Sequence, residues 1–176
     1  FTETVMNRIG DRVWSVAPIN EAWCVSWLSH FEGAHAPGKR DIRAAARAMH
    51  HVLLSHGRSI ETMRAMGVKN LGAVFNLEGA IAQTDTEADA QAAARRDAIY
   101  NRFFLQGVFH GSYPELVLEG LAPHMPEGWQ DDFATITAPL DWIGINYYTC
   151  ARVEAAPEAA WPHLTMGAPV PPLTQM

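Results

Sequence analysis

The sequence contains little cysteine, no long apolar run and no excess of positive charge. Its two cysteines, Cys24 and Cys150, form no CxxC pair, which excludes a disulfide scaffold and favours a reducing compartment such as the cytoplasm. No run approaches the roughly 18 apolar residues of a membrane-spanning helix, so no membrane partner is expected. The net charge is −6, with 13 basic and 19 acidic residues spread along the chain, which excludes nucleic acid as a partner.

The apolar content is sufficient for one globular domain. Of the 176 residues, 48% are hydrophobic, which suits a sizeable core. The chain begins with Phe1 instead of methionine, so we expect a processed chain or part of a larger one. His50 and His51 are adjacent on a predicted helix with no third ligand nearby in the sequence. Neither a zinc site nor another metal or organic cofactor is therefore expected.

Helix and strand signals alternate along the chain. Helices are predicted over residues 2–9, from the N-cap Asp41 to Gly67 with a break or bend at Gly57, after the cap Thr86, and from Pro114. Apolar runs predict three strands, which end near residues 20, 78 and 148. Pro18 weakens the first of them, because proline donates no hydrogen bond to a ladder. Strands that are apolar on both faces and alternate with helices indicate a parallel α/β sheet, in a barrel or an open sheet.

The last part of the chain differs in composition from the rest. Between residues 157 and 172 there are five prolines and no periodic apolar pattern. Residues 151–176 are therefore predicted to be a Pro-rich loop or tail rather than a helix or strand.

Each predicted strand carries polar side chains at its C-terminal end. They are Asn20 and Glu21, Asn76 and Glu78, and Asn146 and Tyr148. In parallel α/β folds that end binds ligands, and amides, carboxylates and a phenol beside aromatic rings suit a polyhydroxylated ligand. Burial and any second carboxylate would raise the pKa of a carboxyl there, which makes it a usable acid near neutral pH. The alternative is that Asn20 and Glu21 only begin a loop or cap a helix.

Six segments in order resemble the family-1 glycoside hydrolases. They are GDRVWSVAPINEAW, HAPGKRD, ARAMHHVLLSHG, GAVFNLEGA, NRFFLQGVFHGSYPE and LDWIGINYYT. The resemblance implies retaining hydrolysis of small-molecule β-glycosides, as in β-glucosidases of carbohydrate metabolism, on a (β/α)₈ TIM barrel. Residues 1–176 would be the central part of a single barrel domain, roughly strands four to six. The remainder of the barrel would be supplied by another segment or chain.

The motifs assign roles to four residues near the first and third strand ends. Glu21 would be the general acid/base, which protonates the leaving glycosidic oxygen and then deprotonates water. Asn20 would hydrogen-bond the sugar 2-hydroxyl, and Trp23 would shape the aglycone side. Tyr148 would hold the nucleophile carboxylate in position.

Three further residues are predicted to bind substrate. Asn76 would face the pocket at the end of strand five, and Asn146 would lie beside it at the end of strand six. For Asn146 the alternative is a strand edge with packed tyrosines. His35 would lie near the aglycone entrance, or it would only brace its own loop.

The sequence departs from the family pattern at several points. Ala22 replaces the proline of NEP, and Pro18 replaces a threonine. The second carboxylate that retaining catalysis needs, about 5–5.5 Å from the first, belongs to a TENG motif that these residues do not contain, and Glu78 is a poor substitute for it. A competing hypothesis is an inactive stand-alone barrel fragment, which binds sugars weakly or self-associates through exposed sheet edges.

Overall fold

The structure is a computed structural model that describes residues 1–168 as a three-stranded sheet with surrounding helices. The helices are Thr2–Ile9 (α1), Ile42–Ala65 (α2), Glu87–Asp97 (α3), Phe103–His110 (α4), Glu115–Leu121 (α5) and Phe133–Ile136 (α6). The strands are Gly72–Ala82 (β1), Trp142–Ala155 (β2) and Leu164–Met166 (β3). Cys24–Leu28 and Ala98–Arg102 are π-helical turns, and Gly10–Arg12 and Ala122–His124 are 3₁₀ turns. Over the described residues, no helix is long and apolar enough to cross a bilayer.

The sheet has the predicted parallel pair at its centre. β1 and β2 run parallel, and the pairing places Asn76 opposite Asn146. Helices α3 to α6 connect the two strands, as a parallel crossover requires. β3 adds an antiparallel strand to the far end of β2, which was not predicted.

The first predicted strand is wrong as a continuous element. The segment before Glu21 makes two isolated parallel bridges. One joins Val16 to Leu71, directly before β1, and the other joins Asn20 to Val74 in β1. The Val16 amide donates to the Asn70 carbonyl at 3.0 Å. In a parallel ladder the next donor on that side would be residue 18, which is Pro18 and has no N–H. The ladder is interrupted there.

The predicted loop or tail over residues 151–176 is wrong in part. β2 continues to Ala155, and β3 occupies Leu164–Met166. Ala151 and Val153 are buried against α3 in a small core, so packing extends the strand beyond the apolar run. Residues 169–176, which belong to the same prediction, lie outside the described residues.

The main core lies between β1 and helices α2, α4 and α5. Helix α2 passes through Gly57 without a break. Gly57 lies so close to the Thr135 backbone that a Cβ atom would overlap its carbonyl oxygen, so the glycine permits helix packing. His50 also lies in this core, with Nδ1 2.8 Å from Tyr113 Oη and Nε2 3.0 Å from Asp132 Oδ2.

Asp41 is confirmed as the N-cap of α2. Its Oδ1 accepts a hydrogen bond of 2.8 Å from the Ala44 amide. We expect Asp41→Ala to lower the free energy of unfolding by about 1 kcal/mol, because a helix amide loses its partner. Urea denaturation followed by circular dichroism measures this. Asp85→Ala removes another exposed aspartate, which is not the N-cap of a helix, and equal losses in the two variants would contradict the cap.

Candidate active site

Four of the predicted site residues meet at the C-terminal edge of the sheet, namely Asn20, Glu21, Asn146 and Tyr148. The bridge from Asn20 to Val74 and the pairing of Asn76 with Asn146 set the three strand ends side by side. Asn146 Nδ2 donates to Asn20 Oδ1 at 3.1 Å and to Glu21 Oε1 at 2.8 Å. The contacts join residues that are 125 and 126 positions apart in the chain.

Glu21 stands at a sharp turn between the sheet and the following helical turn. Its φ of 56° lies in the left-handed region, which non-glycine residues seldom occupy. Its amide donates to the Val74 carbonyl at 3.0 Å, and its own carbonyl accepts from the Cys24 amide at 2.9 Å. These bonds hold the turn although Ala22 replaces the proline of the family pattern.

Donors surround the Glu21 carboxylate. Tyr148 Oη donates to Oε1 at 2.7 Å, alongside the Asn146 amide. Cys24 Sγ donates to Oε2 at 3.6 Å. Tyr148 therefore contacts the predicted acid/base itself, whereas the sequence predicted that it holds a second carboxylate.

The pKa of Glu21 is lowered from its ordinary value. Hydrogen bonds from Tyr148 and then from Asn146 favour the carboxylate, and they outweigh the upward effect of burial. The expectation of a raised pKa is wrong for these residues, because the donors act more strongly than desolvation at a largely open strand end. Within this arrangement Glu21 is a carboxylate at neutral pH.

Asn76 and Trp23 lie beneath the edge in the core. Asn76 is 4% exposed and its Nδ2 donates to Tyr100 Oη at 2.8 Å. Trp23 is 6% exposed and packs on Tyr100 with ring centroids 4.3 Å apart. The structure thus places Trp23 in the core of these residues, and its role on the aglycone side stays a prediction.

Glu78 is bound to a buried arginine. Arg96 Nη2 and Nε donate to Glu78 Oε1 at 2.8 and 3.0 Å. The Arg96 guanidinium also lies over the rings of Trp23 and Tyr100, at 5.1 and 4.6 Å from their centroids. This pairing makes Glu78 part of the scaffold below the edge, in agreement with its dismissal as a nucleophile.

His35 is not brought to the edge. It is exposed in the loop before α2, and its carbonyl accepts from the Gly38 amide at 2.7 Å. In residues 1–168 its side chain has no hydrogen bond to the other predicted site residues. Its role at an aglycone entrance stays a prediction.

Three residues around the site were missed by the sequence analysis. Cys24 lies one helical turn after Glu21, and this spacing was the one local signal available. Arg96 and Tyr100 come from the helix that follows β1, and only the folded arrangement places them under Trp23. No motif or period in the sequence marks that contact.

Tyr148→Phe tests the origin of the low Glu21 pKa. We expect the pKa of Glu21 to rise toward its ordinary value, because the phenol supplies the largest downward effect. A ¹³C NMR titration of the labelled Glu21 carboxyl measures it. Tyr147→Phe is the matched control, since Tyr147 contacts Cys150 Sγ at 2.9 Å instead. Equal titrations of the two variants would contradict the assignment.

Comparison with known proteins identifies the family. The family model described as glycosyl hydrolase family 1 matches residues 1–169. The chain is 45% identical to a beta-glucosidase of Agrobacterium sp., over 96% of this chain and 37% of that protein. It is 36% identical to beta-glucosidase A of Thermotoga maritima, over 90% of this chain and 36% of that protein.

Solved structures agree with this match. The structure of virulence factor SghA from Agrobacterium tumefaciens aligns with a TM-score of 0.90 at 39% identity, over 98% of this chain and 39% of that one. The family 1 β-glucosidase from Thermotoga maritima aligns with a TM-score of 0.88 at 32% identity, over 95% of this chain and 38% of that one. The chain spans less than two fifths of the length of these relatives. It belongs to glycosyl hydrolase family 1, and its fold is a segment of that family's (β/α)₈ TIM barrel.

Proposed function

We propose that this chain supplies the general acid/base of a retaining β-glycoside hydrolase and that the nucleophile comes from a part of the barrel outside these residues. The observation that carries the proposal is the Glu21 carboxylate at the ligand-binding edge, with Asn20 and Asn146 in one hydrogen-bonded group. The relatives named beta-glucosidase support the reaction class. A Thermotoga maritima family 1 glycoside hydrolase, 34% identical, is complexed with a cyclophellitol analogue transition-state mimic, which supports a sugar ligand.

Glu21 would act twice in the reaction. In the first step its carboxylic acid gives a proton to the glycosidic oxygen while the nucleophile bonds to the anomeric carbon. In the second step its carboxylate takes a proton from the water that releases the sugar. The low pKa of Glu21 suits the second step. A bound sugar and a nearby nucleophile carboxylate would raise the pKa for the first.

The neighbours of Glu21 would orient the sugar and the carboxylate. Asn20 is exposed beside Glu21, and its amide is available to a sugar 2-hydroxyl. Asn146 bridges the Asn20 and Glu21 side chains, which fixes the distance between the sugar contact and the proton donor. Asn76 would support the site from the core through its hydrogen bond to Tyr100. We place this activity in cytoplasmic carbohydrate metabolism.

A second candidate is an inactive fragment that associates with itself. Ile143, Ile145 and Tyr147 are spaced by two along β2 and are 45%, 57% and 57% exposed. They form an apolar stripe that either another part of a barrel or a second copy of the chain would cover. Sedimentation of the purified chain, together with an activity assay of a complete barrel that contains this segment, separates the candidates, because this alternative predicts oligomers of the chain and no turnover by the barrel.

The proposal is tested by following hydrolysis of an aryl β-glucoside by ¹H NMR. We expect release of β-glucose before mutarotation, because two inversions at the anomeric carbon retain its configuration. First release of α-glucose would contradict the retaining mechanism. Absence of turnover in a protein that contains this segment within a complete barrel would contradict the function itself.

A further inference from the structure

The two oxygens of the Glu21 carboxylate have different surroundings. Oε1 accepts two short hydrogen bonds, from Tyr148 Oη at 2.7 Å and Asn146 Nδ2 at 2.8 Å. Across residues 1–168, Oε2 accepts one hydrogen bond, from Cys24 Sγ at 3.6 Å. Protonation of Oε1 would push one of its two donors away, whereas Oε2 keeps a lone pair free beside the thiol. The proton that Glu21 exchanges therefore belongs on Oε2.

The Cys24 sulfur also accepts a hydrogen bond from a residue of the core. Asn76 Nδ2 lies 3.8 Å from Cys24 Sγ as a donor, and the same amide donates to Tyr100 Oη at 2.8 Å. Because the amide approaches the sulfur as a donor, the S–H hydrogen is left for Glu21 Oε2. Asn76 and Tyr100 are both buried, so this line of contacts leads from the rigid core to one oxygen of Glu21.

The thiol has the properties of a neutral donor. Burial, followed by the nearby charge of Glu21, raises the pKa of Cys24 to about 11. At neutral pH the thiol is therefore protonated and remains a hydrogen-bond donor. Reactive and redox cysteines have the opposite property, a lowered pKa in an electropositive setting. Neither nucleophilic nor redox chemistry fits Cys24.

We infer that Cys24 is a positioning residue, whose thiol, backed by Asn76 and Tyr100, orients Glu21 so that Oε2 faces the glycosidic oxygen. The inference rests on the proposed function. In the first step the Oε2 proton passes to the glycosidic oxygen as its bond to the anomeric carbon breaks, and the electron pair of that bond stays on the leaving oxygen. In the second step Oε2 takes a proton from the water whose oxygen bonds to that carbon, while the bond between that carbon and the nucleophile carboxylate breaks and its electron pair returns to the carboxylate. The thiol keeps its own proton throughout.

Cys24→Ala removes the donor to Oε2. The first measurement on this variant requires no catalytic turnover. In a ¹³C NMR titration we expect the pKa of Glu21 to rise, because the S–H bond favours the carboxylate. In a complete barrel that contains this segment, with an alkyl β-glucoside whose leaving group requires protonation, we expect kcat to fall roughly 5-fold at unchanged KM, as for the loss of one weak hydrogen bond. The alkaline limb of the pH profile should move to higher pH. Cys24→Ser keeps a donor, so the pKa of Glu21 and the kcat should return toward the parent values.

Cys150→Ala is the matched control, because Cys150 contacts Tyr147 Oη at 2.9 Å, and it should change neither the titration nor the pH profile. The inference is overturned if Cys24→Ala leaves the Glu21 titration unchanged, or if Cys24→Ser behaves like Cys24→Ala in both measurements. A shifted titration in a complete barrel that hydrolyses no glycoside would overturn the proposed function while supporting the thiol contact. The two failures are thus distinguishable.

Discussion

In a complete barrel that contains this segment, Glu21→Gln is expected to lower kcat/KM for an alkyl β-glucoside by about 100- to 10,000-fold, the usual contribution of a general acid/base. Glutamine keeps the size of the side chain and an acceptor oxygen, but it transfers no proton. For an aryl glucoside whose leaving group is a weak base, the loss in the first step should be far smaller, because that oxygen leaves without protonation. Steady-state kinetics over a series of leaving groups measures the difference.

The dependence on the leaving group separates catalysis from folding. Glu154→Gln is the matched control, since Glu154 is exposed on the same strand, β2, and it should leave kcat/KM unchanged. A loss for Glu21→Gln that is equal across all leaving groups would indicate a damaged structure or a binding defect. That result would contradict the acid/base role.

His56 is expected to make the protein less stable in acid. It is 2% exposed, and neither ring nitrogen has a hydrogen-bond partner among the described residues. Desolvation lowers the pKa of His56 from 6.5 to about 4. Because the folded pKa lies below the unfolded one, the unfolded chain binds the proton first as the pH falls. Above about pH 6.5, protonation of His56 takes nothing from the free energy of unfolding. That free energy falls as the pH drops toward 4, by about 2 kcal/mol between pH 7 and 5.

Urea denaturation at pH 7 and at pH 5 measures this loss. His56→Leu fills a similar space without a titrating group, and it should reduce the difference in unfolding free energy between the two pH values by about 2 kcal/mol. His51→Leu is the matched control at an exposed position of the same helix, and it should leave most of the difference in place. Equal behaviour of the two variants would contradict the assignment to His56.

Local signals predicted the helices better than the strands. The caps Asp41 and Thr86 each accept a hydrogen bond from an amide three residues later, so a short stretch of sequence carries the whole interaction. The first strand failed because Pro18 removes a donor from the pairing with β1. The extension of β2 to Ala155 depends on burial against α3 and on pairing with β3, which lie far away in the sequence.

The position of the candidate site in the fold was predictable, but its electrostatics were not. Parallel strands bring their C-terminal ends to one edge, so Asn20, Glu21 and Asn146 had to be neighbours once the sheet was parallel. The pKa of Glu21 depends on donors that reach it from β2, and the motif states nothing about their distances. Trp23 belongs to the same motif, yet its ring packs on Tyr100 from another helix.

Azide rescue of Glu21→Ala, in a complete barrel that contains this segment, tests the acid/base assignment most directly. In this variant a glycosyl-enzyme formed from an activated aryl β-glucoside should persist, because no carboxylate activates water. Azide is small and already a strong nucleophile, so it attacks the anomeric carbon without a base. We predict faster turnover with added azide and a β-glucosyl azide as the product, since two inversions retain the configuration. An α-glucosyl azide, or no response to azide, would contradict the assignment of Glu21 as the general acid/base.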